Sequence, residues 1–246
     1  MSLTIERTLA KIAIRQLTGN RKVWWVALLA LLPALIAFIA ARQTEQPMEI
    51  VLVETSTLIV SVLLPLLALV VGTGVFGAEI DDGTIAYVLG KPVARWRIVL
   101  TRILVAGVAT AALLVPATLL AAFAGFQRLD PDGVVLGFAA AVAVGGLLYC
   151  ALFVALSLTT RRALIVGLIY VVVWEGSLSR LMPGTRALSI REYTLSLAEA
   201  LAGGKEGMIA DSLDGRTALI MGTVVAVLAT AHAIRRLKRF EIGEAV

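Results

Sequence analysis

The chain alternates between long apolar runs and short polar stretches. Six runs stand out, at residues 23–41, 55–77, 98–124, 134–158, 163–182 and 216–234. Each approaches or exceeds the roughly 20 residues that a helix needs to cross about 30 Å of hydrocarbon. Hydrocarbon offers the backbone no hydrogen-bond partners, so each segment must satisfy its own, and helix is predicted for all six. Pro65 and Pro116 fall inside the second and third runs, where they predict kinks rather than breaks. No fixed-period repeat or soluble domain boundary interrupts the pattern. The expected fold is an all-α membrane protein, with residues 1–246 forming one transmembrane domain.

Two polar stretches carry helical periodicity of their own. In residues 1–22, Ile5, Leu9 and Ile12 share one face, while Arg7, Lys11 and Arg15 stack on the other. This pattern predicts an amphipathic interfacial helix whose cations meet lipid headgroups or a partner. A cleaved signal peptide is excluded by the length of the following run and by the polar residues before it. Between the fifth and sixth runs, residues 183–215 form an outer segment. There Ile190, Tyr193, Leu197 and Leu201 keep helical spacing, and Arg191, Glu192, Ser196 and Glu199 take the other face. A short amphipathic helix capping the outer mouth is expected.

Composition agrees with lipid as the solvent. Of 246 residues 59% are hydrophobic and 16% charged, and the mean hydropathy is +0.93. A soluble domain usually carries about a quarter charged residues. The net charge of +5 suggests nucleic acid only until the cations are placed, because they sit at the ends of the apolar runs. With the N-terminus set in the cytoplasm, the basic residues divide 15 inside to 7 outside, and most acids fall outside. That asymmetry predicts cytoplasmic N- and C-termini in a multi-pass plasma (inner) membrane protein. Trp24, Trp25, Trp96 and Trp174 fall near the expected interfaces. Cys150 is the only cysteine, so the chain holds no internal disulfide.

The most informative polar stretch is the insert at 79–97, between the second and third runs. Asp82 or Thr84 can cap a helix, and Asp81 and Asp82 favour its N-terminal end. Ile85, Val88 and Leu89 form an apolar stripe of about two turns. Lys91-Pro92 ends it, since proline disfavours helical geometry in the residue before it. Such a helix suits a groove on a partner, or equally packs as an interfacial helix on its own bundle.

The order Glu79, Gly83, Thr84, Leu89, Pro92, Arg95 and Arg102 resembles the ABC-2 type transporter permeases, the transmembrane subunits of type V ABC exporters. The resemblance extends over the whole chain: a surface N-terminal helix, six spans and an elaborated outer segment between spans five and six. One departure is Asp81-Asp82 before the glycine, where the family carries a glutamate-rich run. The resemblance implies that the insert is a cytoplasmic coupling helix seated in a cleft of a separate ATPase subunit. Its ATPase-coupling residues would be Glu79, Asp81, Asp82, Gly83, Thr84, Ile85, Val88, Leu89, Lys91, Pro92 and Arg95. It further implies a working exporter of two permeases, each a copy of this chain or a homologue, and two ATPases. The path for a small-molecule or lipid-like substrate would run between the permeases, with ATP and Mg on the partner and no cofactor in this chain. Gly203-Gly204-Lys205-Glu206 lacks the spacing and the Ser/Thr of a phosphate loop, in keeping with a non-catalytic subunit.

A few residues outside the insert call for placement. Glu175 is the one acid in or at the edge of an apolar run, and an ionisable group there suggests function by default. It is a candidate outer gate or the shaper of a re-entrant turn. The neighbouring Trp174 instead suggests the interface, where a glutamate costs little. His232 is the only histidine and has no ligand partners at metal spacing, so no metal site is expected. Asp130-Pro131-Asp132-Gly133 reads as a tight outer turn rather than a calcium loop. Gly72, Gly74, Gly77, Gly145 and Gly146 permit close helix approach, within one bundle or at a permease seam. An intramembrane enzyme would need a nucleophile with a base, or a multi-ligand metal, and the sequence offers neither. An ion-gradient-driven secondary transporter is the remaining alternative, resting on Glu175.

Overall fold

The structure is a computed structural model describing residues 57–81, 93–126, 134–178, 188–201 and 213–239, together with Leu28, Leu32, Leu35 and Ile39. All regular structure among the described residues is helical. A π-turn, Ile59–Leu63, leads into α1, Leu64–Asp81. Then come α2, Arg95–Phe126, α3, Val134–Ser157, and α4, Ala163–Ile169, which runs on as π-helix over Tyr170–Leu178. Helix α5, Ile190–Leu201, and the long α6, Gly215–Arg239, complete the described elements.

Four helical stretches are long and apolar enough to cross a membrane: Ile59–Gly77, Arg95–Ala121, Val135–Ser157 and Gly215–Arg239. They match the second, third, fourth and sixth expected spans. The fifth, expected over 163–182, is a shorter apolar helix over Ala163–Ser177, so it does not reach span length among the described residues. Of the first run only four residues are described, helical and all exposed, with the 3–4 spacing of one outward helix face. The N-terminal stretch 1–22 and Asp130–Gly133 lie outside the described residues.

The centre of the bundle is α3, which packs against α1, α2, α5 and α6. A helix apolar on all sides belongs inside. Phe138, Val142, Tyr149, Cys150, Phe153 and Val154 of α3 are each at most 1% exposed. By contrast α6 lies at the periphery, burying Ala218, Gly222, Ala229, Ala233 and Leu237. All but Leu237 are small, and on one stripe they let the backbones approach closely, the usual driver of association where lipid competes for larger side chains. Leu219, Ile220, Val224, Val227 and Leu228 on its other face are exposed.

The two prolines behave differently. Pro116 sits within an uninterrupted α2. Pro65 follows directly on the π-turn, in which the Leu64 N–H reaches the Ile59 carbonyl five residues back. A proline ring crowds the carbonyl four residues before it, and a widened turn at that point gives the ring room.

The expected glycine contacts divide as well. A Cβ on Gly72 would stand 3.0 Å from Phe153 Cβ, and one on Gly145 would stand 2.5 Å from Thr194 Oγ1. Both glycines therefore serve packing inside one bundle. Among the described residues nothing lies within 4 Å of such an atom on Gly77.

Candidate functional site

At the basic end of the bundle, α1 and α2 carry the two roots of the insert. The backbone of Glu79 and Asp81 lies in the last turn of α1, and Arg95 opens α2. Asp82, Gly83, Thr84, Ile85, Val88, Leu89, Lys91 and Pro92 lie outside the described residues. Ala94 starts α2, its carbonyl accepting the Arg97 N–H at 3.0 Å and the Ile98 N–H at 3.4 Å. The Arg97 guanidinium lies 5.2 Å from the centroid of the half-exposed Trp96 ring, a cation–π contact suited to an interface.

Just inside these roots lies a residue whose role the motif did not reveal. Arg102, at 3% exposure, is among the most buried charges described. Its Nη1 donates to the Val75 carbonyl of α1, and its Cζ stands 4.6 Å from the centroid of the Phe76 ring. One side chain of α2 thus grips α1 by hydrogen bond and by cation–π contact a few residues before the insert begins. Phe76, Ile98, Val99 and Ile103 surround this clamp in a separate apolar cluster with Ala229, Ala233 and Leu237 of α6. A buried cation persists only when such partners replace its water.

The opposite end is organised by Glu175, which is 1% exposed. It is therefore inside the protein rather than at a wet interface, and the cheap interfacial glutamate that Trp174 suggested is corrected. Its Oε1 accepts the Tyr170 hydroxyl and the Ile190 N–H, each at 3.0 Å, and its Oε2 accepts the Ser189 hydroxyl. Trp174 Nε1 donates to the Leu188 carbonyl at 3.4 Å. The π-helical end of α4 and the start of α5 are thereby joined through one carboxyl group. Tyr170 also meets Phe153 edge to face at 6.3 Å, and Phe153 stacks on Tyr149 at 5.9 Å. The Tyr149 hydroxyl is fully buried, and among the described residues no group meets it at hydrogen-bond geometry.

Ser189 serves two elements, because its Oγ also accepts the Glu192 N–H at 3.2 Å and so caps α5. Ser189-Ile190-Arg191-Glu192 is the S-x-x-E pattern of a capping box, a signal present in the sequence that the amphipathic reading passed over. The structure also shows what each face meets. On the polar face Glu192, Ser196 and Glu199 are buried, whereas Leu201 at the end of the apolar face is 48% exposed. The cause is that α5 packs against α3, α6 and the π-turn at once. Its polar groups find protein partners instead of water. Arg191 donates to Glu192 at 2.8 Å and to Ser61 at 3.0 Å, and the Ser196 hydroxyl accepts the Leu213 N–H at 2.9 Å. Burial, and then the charge of Glu175, push the Tyr193 phenol above its ordinary value.

His232 lies at the basic end, as expected, with Nε2 3.1 Å from Thr159 Oγ1. Among the described residues no group of three or more His, Cys, Asp or Glu could hold a metal ion.

A bundle with four helices of membrane length, packed around α3 and tied together by buried polar side chains near both ends, has the architecture of a multi-pass membrane protein. The family described as "ABC-2 family transporter protein" matches residues 7–239, nearly the whole chain, and the chain belongs to that family. It is accordingly a membrane permease of the ABC transporter class, a family of membrane transport components. No curated protein matches it.

Proposed function

We propose that the chain is the membrane subunit of an ATP-driven exporter, working as a pair of permeases with two separate ATPase subunits. ATP and Mg reside on those partners, and the substrate, small or lipid-like, passes between the permeases. In this reading the termini and the 79–97 insert are cytoplasmic, six helices cross the membrane, and the insert is the element the ATPase moves. Arg102 supports the reading most directly. It ties the two helices that emerge from the insert into one unit, so a force on the insert moves α1 and α2 together. At the far end Glu175 holds the outer cap and acts as a gate element. Its donors come from this chain, so it serves as a fastening and not as an ion carrier.

The test is co-expression with candidate ATPases followed by pull-down. Ile85→Asp and Leu89→Asp, which place charges on the apolar stripe of the insert, are expected to abolish recovery of the ATPase while the permease still accumulates. Unchanged recovery of the ATPase with both variants would overturn the assignment of the insert.

A further inference from the structure

Between the last turns of α3 and the second half of α6 runs an open groove of about 610 Å³. Leu152, Leu156, Val225 and Leu228 make its walls apolar, and Thr159, His232 and Arg235 close one end. That end is built and not merely polar. Thr159 Oγ1 donates to the Ala155 carbonyl at 2.8 Å, so toward His232 it accepts from Nε2–H at 3.1 Å. Arg236 Nη2 donates to the Thr159 carbonyl at 3.3 Å. Arg235 remains exposed beside it, and Lys238 and Arg239 follow in the last turn. Glu175, Glu192, Glu199 and Asp214 belong to the other end of the bundle, around α5 and the start of α6, while Glu79 and Asp81 end α1 at the basic end, on a helix that does not line the groove.

The groove also has a fitting length. From Val225 to Arg235 a helix rises about 15 Å, the thickness of one leaflet's hydrocarbon. A chain lying along the apolar walls therefore brings whatever it is attached to level with Arg235. An apolar trough of leaflet depth ending in cations matches a lipid with one negative headgroup, since basic pockets between spanning helices favour anionic headgroups.

We propose that this groove binds one anionic phospholipid of the surrounding leaflet, its acyl chain between α3 and α6 and its phosphate at Arg235 and Arg236. The site rests on the chain being a membrane protein and not on its coupling to an ATPase.

The test uses the full chain reconstituted in nanodiscs that mix dioleoylphosphatidylglycerol with dioleoylphosphatidylcholine, with native mass spectrometry reading the lipid retained. One phosphatidylglycerol per chain is expected in preference to phosphatidylcholine. R235Q and R236Q are each expected to lower that preference about fivefold. Val225→Trp, which fills the trough, is expected to reduce retention of the dioleoyl lipid while sparing the dihexanoyl analogue. Should these variants fail to fold, the wild-type preference must still fall as salt rises, because headgroup attraction is screened. Equal retention of both lipids, or a preference indifferent to salt, would overturn the proposal. So would glycerol 1-phosphate binding as tightly as the lipid, which marks a site for free phosphate. A Val225→Cys disulfide joining two copies in place of bound lipid would likewise reject it, marking the groove as a permease seam. None of these readouts involves the ATPase, so they fail independently of the pull-down.

Discussion

Ser189 and Glu175, fourteen residues apart in sequence, meet side chain to side chain, the hydroxyl donating to the carboxyl Oε2. The same hydroxyl caps α5, and the next residue, Ile190, gives its N–H to the other carboxyl oxygen. Helix α5 is therefore fastened at its N-terminus, where the helix dipole and the unpaired backbone donors favour a negative group. A buried acid in a membrane protein invites a transport role, yet this one first satisfies donors that would otherwise be stranded.

Replacing that acid should loosen the outer cap. Glu175→Ala strands the Tyr170 and Ser189 hydroxyls and the Ile190 N–H, each unpaired buried donor costing about 1–3 kcal/mol. Glu175→Gln keeps one acceptor oxygen and is expected to lose less. Ser189→Ala removes a donor and a cap together, for about 1–2 kcal/mol. Thermal unfolding of the full chain in detergent should rank them wild type, then Ser189→Ala and Glu175→Gln, then Glu175→Ala. A Glu175→Ala protein as stable as wild type would show that the fastening carries no weight.

Alkaline pH offers a second reading of the same region. The Tyr193 phenol is raised above its ordinary 10.0, by burial first and by Glu175 second. Folding therefore retains a proton that the unfolded chain releases, and stability falls as pH rises beyond that value. The contribution is fully present below pH 10.0 and is lost as pH climbs through the raised folded value. Tyr193→Phe cannot release this proton. The stability difference between wild type and Tyr193→Phe should stay flat below pH 10.0 and move in favour of the variant above it. A difference that changes between neutral pH and pH 9 would contradict the assignment.

Four of the expected spans were legible as helices of membrane length, because their signal is one of length and apolarity. The 55–77 and 134–158 runs appear almost where hydropathy puts them, as Ile59–Gly77 and Val135–Ser157. The π-helical end of α4 was not legible, since a wider turn is stabilised by what it meets and not by composition. Here Glu175, within Tyr170–Leu178, is aimed at Ser189 and Ile190. What the polar face of α5 meets was not legible for a related reason. Periodicity separates polar from apolar positions without saying what covers them, and Glu192 and Ser196 have protein partners on a helix packed on several sides. Arg102 was legible as a member of the insert's pattern, while its burial against Phe76 depends on a neighbour more than twenty residues upstream.

Helix approach at the centre makes a sharper prediction. A Cβ on Gly145 would stand 2.5 Å from Thr194 Oγ1 and 2.9 Å from Leu64 Cδ2, pushing α3 away from both α5 and α1. Gly145→Ala should cost about 1–3 kcal/mol, the usual range for overpacking. Gly77→Ala, with open space at the same atom, should be neutral or stabilise by up to about 1 kcal/mol through helix propensity. Denaturation midpoints of the two variants, measured side by side in one detergent, should move in opposite directions or differ at least in size. Equal losses would mean that the close contact at Gly145 is not maintained.

The clamp at the basic end can be separated from the insert it supports. Arg102 holds Val75 by hydrogen bond and Phe76 by cation–π contact, and the wide guanidinium makes both contacts at once. Arg102→Lys keeps the charge but loses the stacking, and Arg102→Met keeps only the stem. Loss of both contacts should cost about 2 kcal/mol for methionine, with lysine intermediate. The functional consequence differs from that of the insert variants. With Ile85 and Leu89 intact, an ATPase should still be recovered with Arg102→Met, because the surface it grips is unchanged. Movement of the insert would no longer carry α1 and α2 as one body, so ATP-dependent transport should fall further than binding does. Transport in proteoliposomes, normalised to ATPase recovered, is the measurement. Wild-type transport by Arg102→Met would show that force reaches the bundle by another route, whereas loss of transport and ATPase binding together would show that the clamp only shapes the insert.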